Sequence, residues 1–419
     1  MAGGIFLAEN KVRPGAYINF KAARGPAAVT GTRGVVAMAV PMTWGPQDTI
    51  ITLDSTDLID GKCIKKIGLP VTDENAQVYR QALQHSFKAY VYRLDANGKK
   101  ARTTAGALTA IAKYNGTAGN DLAIKVSQTD DVFMVQTYYR QSLVDSQSGR
   151  TAADLQPNDW VDFTGSGNLT ATAGTMLTGG ENGTVAEEQY AAFMEKIRPY
   201  AFHTICLPTV INDTVKGAVA DFVRELRESK GKKVQAVLPE YPQADYEGII
   251  SVSQGYRTTS EEVGVAGTVA YIAGLTAGSA VNQSNTYHVI DNAVEVIGEL
   301  QDEQIEQGLT QGKLLLSVRQ DGAVVIEKDI NTLTTYTEDR SAVYSKNRVL
   351  RCLDDIANHT RGIFEARYIG KVDNTENGRN VLKADLTGYL NELQNMGAIT
   401  IFPQRIFRSS RAWTSNPWL

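Results

Sequence analysis

The chain has 419 residues, 42% of them hydrophobic, which is enough for more than one packed core and excludes a disordered chain. Its 42 Lys+Arg against 46 Asp+Glu leave a net charge of −4. That balance argues against a protein that coats nucleic acid, a task that needs a large basic surface.

Residues 1–25 read as an arm. Met1 to Glu9 lacks the basic start and long apolar run of a signal peptide. A short strand is predicted over 16–20, with Ile18 and Phe20 on one face, among the basic residues Lys11, Arg13, Lys21 and Arg24. Such a segment cannot bury itself and must dock on something.

Residues 33–94 read as α/β. A strand is expected over 35–40 and another over 89–94. Between them Asp73 caps a helix with Val78, Tyr79, Ala82, Leu83 and Phe87 on one side. Residues 95–183 are rich in Gly, Thr, Asn, Asp and Ser. Strands over 122–128 and 133–139 alternate with turns such as Asn97-Gly98 and Asn115-Gly116, which reads as an inserted β-rich domain.

The α/β pattern then resumes. Thr184-Val-Ala-Glu187 reads as a capping box for a helix carrying Tyr190, Phe193, Met194 and Ile197. A strand over 202–207 leads to a helix capped by Asn212 or Asp213, with Val215, Val219, Phe222, Val223 and Leu226 on one face and Gly231 at its end. Strands over 234–238 and 249–253 follow. This alternation implies a parallel or mixed sheet. Residues 263–281 carry no charge, but their Ala, Gly, Thr and Ser content fits a buried helix better than a membrane span. Ala270, Gly274 and Gly278 recur every four residues and allow close packing.

The last third changes character. A hairpin is expected from 313–319 and 323–328 around Gln320-Asp321-Gly322. A helix over about 342–361 should turn Val349, Leu350, Leu353 and Ile356 inward, and one over about 380–396 should do so with Leu382, Leu386, Tyr389 and Leu393. The expected fold is thus multidomain α/β and α+β. It has an arm (1–25), an α/β core with a mixed sheet (26–94 and 184–310), a small inserted β-rich outer domain (95–183) and an α+β C-terminal domain (311–419).

Reactive groups do not converge in this sequence. Cys63, Cys206 and Cys352 lie far apart, which fits a reducing compartment, and His85, His203, His288 and His359 lack local metal-ligand spacing. There is no phosphate loop, no GxSxG elbow and no HExxH. His203 and Cys206 sit in an apolar strand and read as core residues, while His85 and His359 fall on helices. Asp213 and Glu240 follow successive strands, where ligands bind in α/β sheets, and could serve a hydrolytic enzyme as an acid/base pair. Helix capping and a loop position explain them more simply. The acidic run Glu295, Glu299, Asp302, Glu303 and Glu306 reads as a solvated face.

Several segments, in order, resemble the tail sheath proteins of contractile bacteriophages, phage-like elements and R-type bacteriocins. They are Arg13-Pro-Gly-Ala-Tyr17-Ile-Asn-Phe20, Arg33-Gly-Val-Val-Ala-Met-Ala-Val-Pro41 with Trp44-Gly-Pro46, and Ala112-Lys-Tyr-Asn-Gly116 with Gly119-Asn120. They continue with Asp245-Tyr-Glu-Gly-Ile249-Ile, Ala270-Tyr-Ile-Ala-Gly274, Asn282-Gln-Ser284, Lys313-Leu-Leu-Leu-Ser-Val, Asn331-Thr-Leu333-Thr and Tyr368-Ile-Gly370-Lys371-Val. The likeness spans about 10–400. It implies a structural subunit rather than an enzyme, with no cofactor or metal, no nucleic-acid partner and no membrane insertion. Such subunits form stacked hexameric rings around an inner tail tube and contract to drive that tube through a target envelope. Their further partners are baseplate and tail terminator proteins. The expected location is the virion tail, or a phage tail-like particle assembled in the bacterial cytoplasm.

By the same likeness Ala16, Tyr17, Ile18, Asn19, Phe20, Lys21 and Ala22 form the strand lent to a neighbouring subunit. The hairpin near 313–328 is part of the receiving sheet, and Lys383, Asp385, Asn391 and Glu392 face the inner tube. One departure stands out. After Ile399 the basic tail with Trp413 and Trp418 lacks strand alternation where the family continues through further strands, so a truncated or frame-shifted C-terminus is expected.

Overall fold

The computed structural model describes residues 33–129, 132–210 and 212–400. The arm residues Ala16 to Ala22 and the tail after 400 therefore lie outside the described residues. The chain forms two compact units. Among the described residues one comprises 38–80 and 89–200, the other 33–37, 81–88 and 201–400.

In the first unit, strands β1 (Val35–Pro41, from Met38 on), β2 (Ile50–Asp54) and β3 (Lys88–Leu94, from Ala89 on) lie in the order β1, β3, β2. Between them run helices α1 (Ser55–Ile59), α2 (Cys63–Ile67) and α3 (Gln77–Leu83, up to Arg80). Asp73 accepts from the Asn75 amide and caps a single 3-10 turn ahead of α3. Phe87 falls beyond α3 and is exposed rather than part of its apolar face.

Two antiparallel sheets follow. One holds β4 (Lys100–Ala105) and β5 (Leu108–Asn115), the other β6 (Leu122–Thr129), β7 (Val132–Tyr139) and β8 (Ser142–Gly149). Strand β9 (Val161–Thr164) completes the first beside β5, and β10 (Thr172–Met176) the second beside β6. Alternate residues of β5, β6 and β7 meet in one apolar core around Trp44, Tyr139 and Trp160. Trp160 stacks on both others, with ring centroids 5.3 Å from Trp44 and 4.5 Å from Tyr139.

The chain enters and leaves this double sheet side by side. Ala96 and Thr184 exchange backbone hydrogen bonds of 3.0 Å in both directions. Helix α4 (Glu187–Ile197) follows, with Tyr190, Phe193 and Ile197 buried. Its cap is Ala186, whose amide donates to Gln189 Oε1 at 3.1 Å. Thr184 does not cap it, because Thr184 is already committed to the Ala96 pairing. A buried clamp closes the neck: Arg93 donates to the carbonyls of Gly45 and Asn115 at 2.7 and 2.9 Å and pairs with Asp95. A Cβ on Gly116 would lie 2.1 Å from the Thr43 carbonyl oxygen, so only glycine fits there.

The second unit is built on a parallel sheet. Its strands are β11 (Thr204–Cys206), β12 (Gln235–Pro239), β13 (Ile249–Val252) and, much later, β17 (Lys313–Leu314), in the order β17-β13-β12-β11. Strand β11 is shorter than expected. Helix α5 (Asp213–Arg224) joins β11 to β12 and is capped by Asn212, whose Oδ1 accepts from the Thr214 amide at 2.8 Å. Strands β14 (Gly255–Thr258), β15 (Glu262–Val263) and β16 (Ala293–Ile297) form a small antiparallel sheet.

Helix α6 (Val265–Gly278) is buried almost throughout. A Cβ on Gly274 or Gly278 would lie 2.1 Å from the Ala82 carbonyl oxygen or 1.7 Å from that of His85, so the small residues do admit a backbone at close range. No helix among the described residues is long and apolar enough to cross a membrane.

After α7 (Asp302–Thr310) the expected hairpin is only half right. Lys313 and Leu314 join the parallel sheet as β17 instead. The hairpin proper is β18 (Leu316–Val318) against β19 (Val324–Ile326), with Gly322 at φ +85° in its turn. Helices α8 (Asn347–Ile363) and α9 (Glu376–Asn395) complete the unit.

Candidate assembly site

Helix α8 does not bury the stripe that its apolar spacing predicts. Leu350 is buried, but Val349, Leu353 and Ile356 are only half-buried. The buried positions also include Asn347, Arg351, Asp354 and Asp355. A charged side chain reaches the interior only if paired and hydrogen-bonded, and here each one is. Arg227, on the turn after α5, grips Asp354 through both terminal nitrogens at 2.6 and 2.8 Å. Arg351 donates to the Gln283 carbonyl at 2.8 Å and lies 3.4 Å from Asp329. Arg33 lies 3.6 Å from Asp355, which also accepts from the Tyr389 hydroxyl of α9 at 3.1 Å.

Amides knit the charges together. Asn347 donates to Asp329 at 3.0 Å and to the Ile330 carbonyl at 2.9 Å, and accepts from Gln235 of β12 at 3.0 Å. Burial lowers the Arg33 pKa to about 10, with the nearby Arg351 charge adding to the effect. Arg227 is also opposed by burial, yet the Asp354 charge holds its proton more tightly than usual. Every carboxylate named here faces a guanidinium or an amide. The network is therefore fit to fasten helices to a sheet, not to exchange protons with a substrate. Among the described residues no group of three or more His, Cys, Asp or Glu could hold a metal ion.

The residues singled out from the sequence are scattered. Lys383, Asn391 and Glu392 are exposed on α9, whose opposite face (Tyr389, Leu390, Leu393) packs on Val281 and Cys352 of the same unit. Asp385 is half-buried and accepts from the Tyr368 hydroxyl at 2.8 Å. Asp213 is exposed, paired with Lys216 at 2.9 Å and bonded by Gln243 at 3.2 Å. Glu240 is exposed in a turn at φ +44°.

His203 is half-buried and accepts the Val35 amide at 3.3 Å; desolvation, with the Arg33 charge adding to it, lowers its pKa to about 3. Cys206 is fully buried. His85 lies past the end of α3 rather than on a helix, and His359 stacks on Tyr389 with centroids 3.9 Å apart. The acidic run is exposed from Glu295 to Glu306, and Glu295 pairs with Arg257.

Among the described residues the β18–β19 hairpin has no further strand beside β18. Bonds from Arg319 N to the Ala323 carbonyl and from Glu327 N to the Leu315 carbonyl, both 2.8 Å, place the Leu316 and Val318 amides on the side away from β19. Gln254 Oε1 accepts the Leu316 amide at 2.8 Å. The Val318 amide has no partner among the described residues, and its side chain is 40% exposed.

Four family models tile the chain. They are the tail sheath protein Gp18 domain III N-terminal region (33–94), the phage tail sheath protein beta-sandwich domain (95–182), the central domain (183–332) and the C-terminal domain (339–405). The chain belongs to the phage tail sheath protein family. The phage-like element PBSX protein XkdK of Bacillus subtilis (strain 168) is 32% identical, over 96% of this chain and 92% of its own. The sheath tail protein of Desulfitobacterium hafniense is 36% identical with a TM-score of 0.82, covering 94% of this chain and 92% of the other. The anti-feeding prophage helical sheath in its contracted state shares the fold alone, at 12% identity and a TM-score of 0.52 over 93% and 85% of the two chains. As a sheath-family chain it has a structural role, and nothing in these likenesses supports a hydrolase built on Asp213 and Glu240. The charged network joins three of these family segments: Arg33 comes from the 33–94 region, Arg227 and Asp329 from the central domain, and Arg351, Asp354 and Asp355 from the C-terminal domain. Sequence reading missed it, and the available signal was the polar residues interrupting the apolar stripe of α8.

Proposed function

We propose that this sheath protein forms hexameric rings stacked around an inner tail tube and contracts to drive that tube through a target envelope. The observation that carries the reading is the side of β18 that has no further strand among the described residues. A strand with an unpaired edge is a template for a strand from another chain. The arm residues Ala16 to Ala22 of a neighbouring subunit supply that strand. A head-to-tail contact of this kind propagates and yields a helical sleeve. The inserted sheets of residues 95–183 face outward, and Lys383, Asp385, Asn391 and Glu392 turn toward the tube. Contraction is a rigid-body rearrangement between two packings, without nucleotide or metal. The particle is a phage tail or a tail-like device, with baseplate and terminator proteins at its ends.

Negative-stain electron microscopy of the purified protein tests this, beside a variant lacking residues 16–22. Hollow, cross-striated tubes from the intact chain and separate particles from the variant are expected. Tubes from both remove the arm from the assembly contact, and small monodisperse particles from both overturn the reading.

A further inference from the structure

Two histidines far apart in sequence converge on one buried hydroxyl. Tyr271, on α6, lies 3.0 Å from His85 Nε2 and 3.2 Å from His288 Nε2 through its phenol oxygen. The imidazoles themselves meet edge to face at 5.6 Å. A phenol carries one proton and can accept others. With both histidines neutral, one ring donates to the phenol and the phenol donates to the other ring. One added proton is tolerated, because the charged ring then acts as donor and the neutral ring as acceptor. A second proton is not. Both rings become donors, the phenol proton loses its acceptor, and two cations face each other across one oxygen.

The surroundings offer limited relief. Asp291 lies 3.8 Å from His85 Nε2 and also accepts from Gln84 at 3.1 Å. From β14, Tyr256 packs against Tyr271 and donates to Gln81 at 2.7 Å, so its hydroxyl is committed. Glu261 acts on Tyr256, and Asp329 on His288, only as more distant charges. Burial lowers both histidine pKa values, and the His288 charge lowers that of His85 further, against an opposing pull from Asp291. The backbone of Ala82 and His85 is pressed against Gly274 and Gly278, which leaves His85 little room to withdraw.

His288 is also part of the segment that covers β19. Its carbonyl accepts from the Ile326 amide at 3.0 Å, while Tyr287 N and Ile290 N donate to the carbonyls of Ile326 and Val324 at 2.7 and 2.9 Å. Tyr287 itself sits at φ +59°, a conformation that tyrosine adopts only under constraint. We propose that His85, Tyr271 and His288 form an acid-operated latch, in which the second proton releases residues 285–291 from the β19 edge. The latch stands whether or not the hairpin receives a neighbour's strand.

Hydrogen exchange of the full chain between pH 7.5 and 5, corrected for the intrinsic pH dependence, reads the release directly. Protection at the Tyr287, Ile290 and Ile326 amides is expected to fall by about tenfold per pH unit for each extra proton bound on opening. The Ala236 amide in the parallel sheet stays protected. His288→Gln, which keeps a hydrogen-bonding group that does not titrate, abolishes the response. A histidine-labelled magnetic-resonance titration of the unaltered chain gives a second readout, with His85 and His288 titrating as a coupled pair below the ordinary range. Independent titration at ordinary values overturns the proposal. So does loss of the three amides only in step with Ala236.

Discussion

The double β-sheet and the α8 layer solve the same packing problem with opposite materials. In the first, the rings of Trp44, Tyr139 and Trp160 stack in an apolar core. In the second, the buried face of α8 carries Arg351, Asp354 and Asp355, each held by a partner of opposite charge or by an amide. Apolar burial is non-directional and tolerates adjustment, whereas a buried ion pair demands one geometry and penalises its loss. The double sheet should therefore degrade gradually under substitution, and the α8 layer abruptly.

The largest effect tests that contrast at its strong end. Asp354→Ala leaves the Arg227 guanidinium buried without its carboxylate and should cost about 3–5 kcal/mol in denaturant unfolding. Replacing the pair together, Arg227→Met with Asp354→Leu, should recover most of that loss. If the single change is as mild as an exposed one, the network is not what fastens α8. Trp160→Ala tests the other region and should cost up to about 3–5 kcal/mol through the cavity it leaves. Trp160→Phe should cost clearly less, a graded series that the ion pair should not show.

A smaller effect is expected from Gly274→Ala, whose new Cβ would lie 2.1 Å from the Ala82 carbonyl oxygen. Overpacking there should cost about 1–3 kcal/mol. Acid adds a further handle. His203 has its folded pKa lowered to about 3, so its contribution is fully present above the unfolded value near 6.5. It is lost as pH falls from there toward 3, and His203→Gln should flatten the stability profile over that window. Lys383→Ala should change stability least, within about 0.5 kcal/mol, since the side chain is exposed. Co-sedimentation with the inner tube protein then reads its proposed contact with no folding effect to confuse it.

Local chemistry made parts of this molecule readable. The alternation in β6 and β7, the apolar stripe of α4 and the Asp-Gly turn at 321–322 each carry their structure in a few adjacent residues. The Thr184 cap failed because a strand pairing eighty-eight residues back had already claimed that backbone. Lys313 and Leu314 failed as hairpin residues because the β13 edge outcompeted the local turn. The proposed tube-facing residues rest on family likeness alone, since exposed polar side chains on α9 leave no periodic trace.

By itself, then, the sequence determined the main strand–helix alternation on either side of a β-rich stretch, the buried nature of α6 and the succession of sheath-family segments. Tertiary structure alone decided that α8 buries charge, that His85 and His288 share Tyr271, and that the Val318 amide of β18 has no partner among the described residues. The reason is physical. Hydrophobic periodicity reports which face of an element leaves water, but an ion pair or a shared proton exists only between partners that the fold brings within reach.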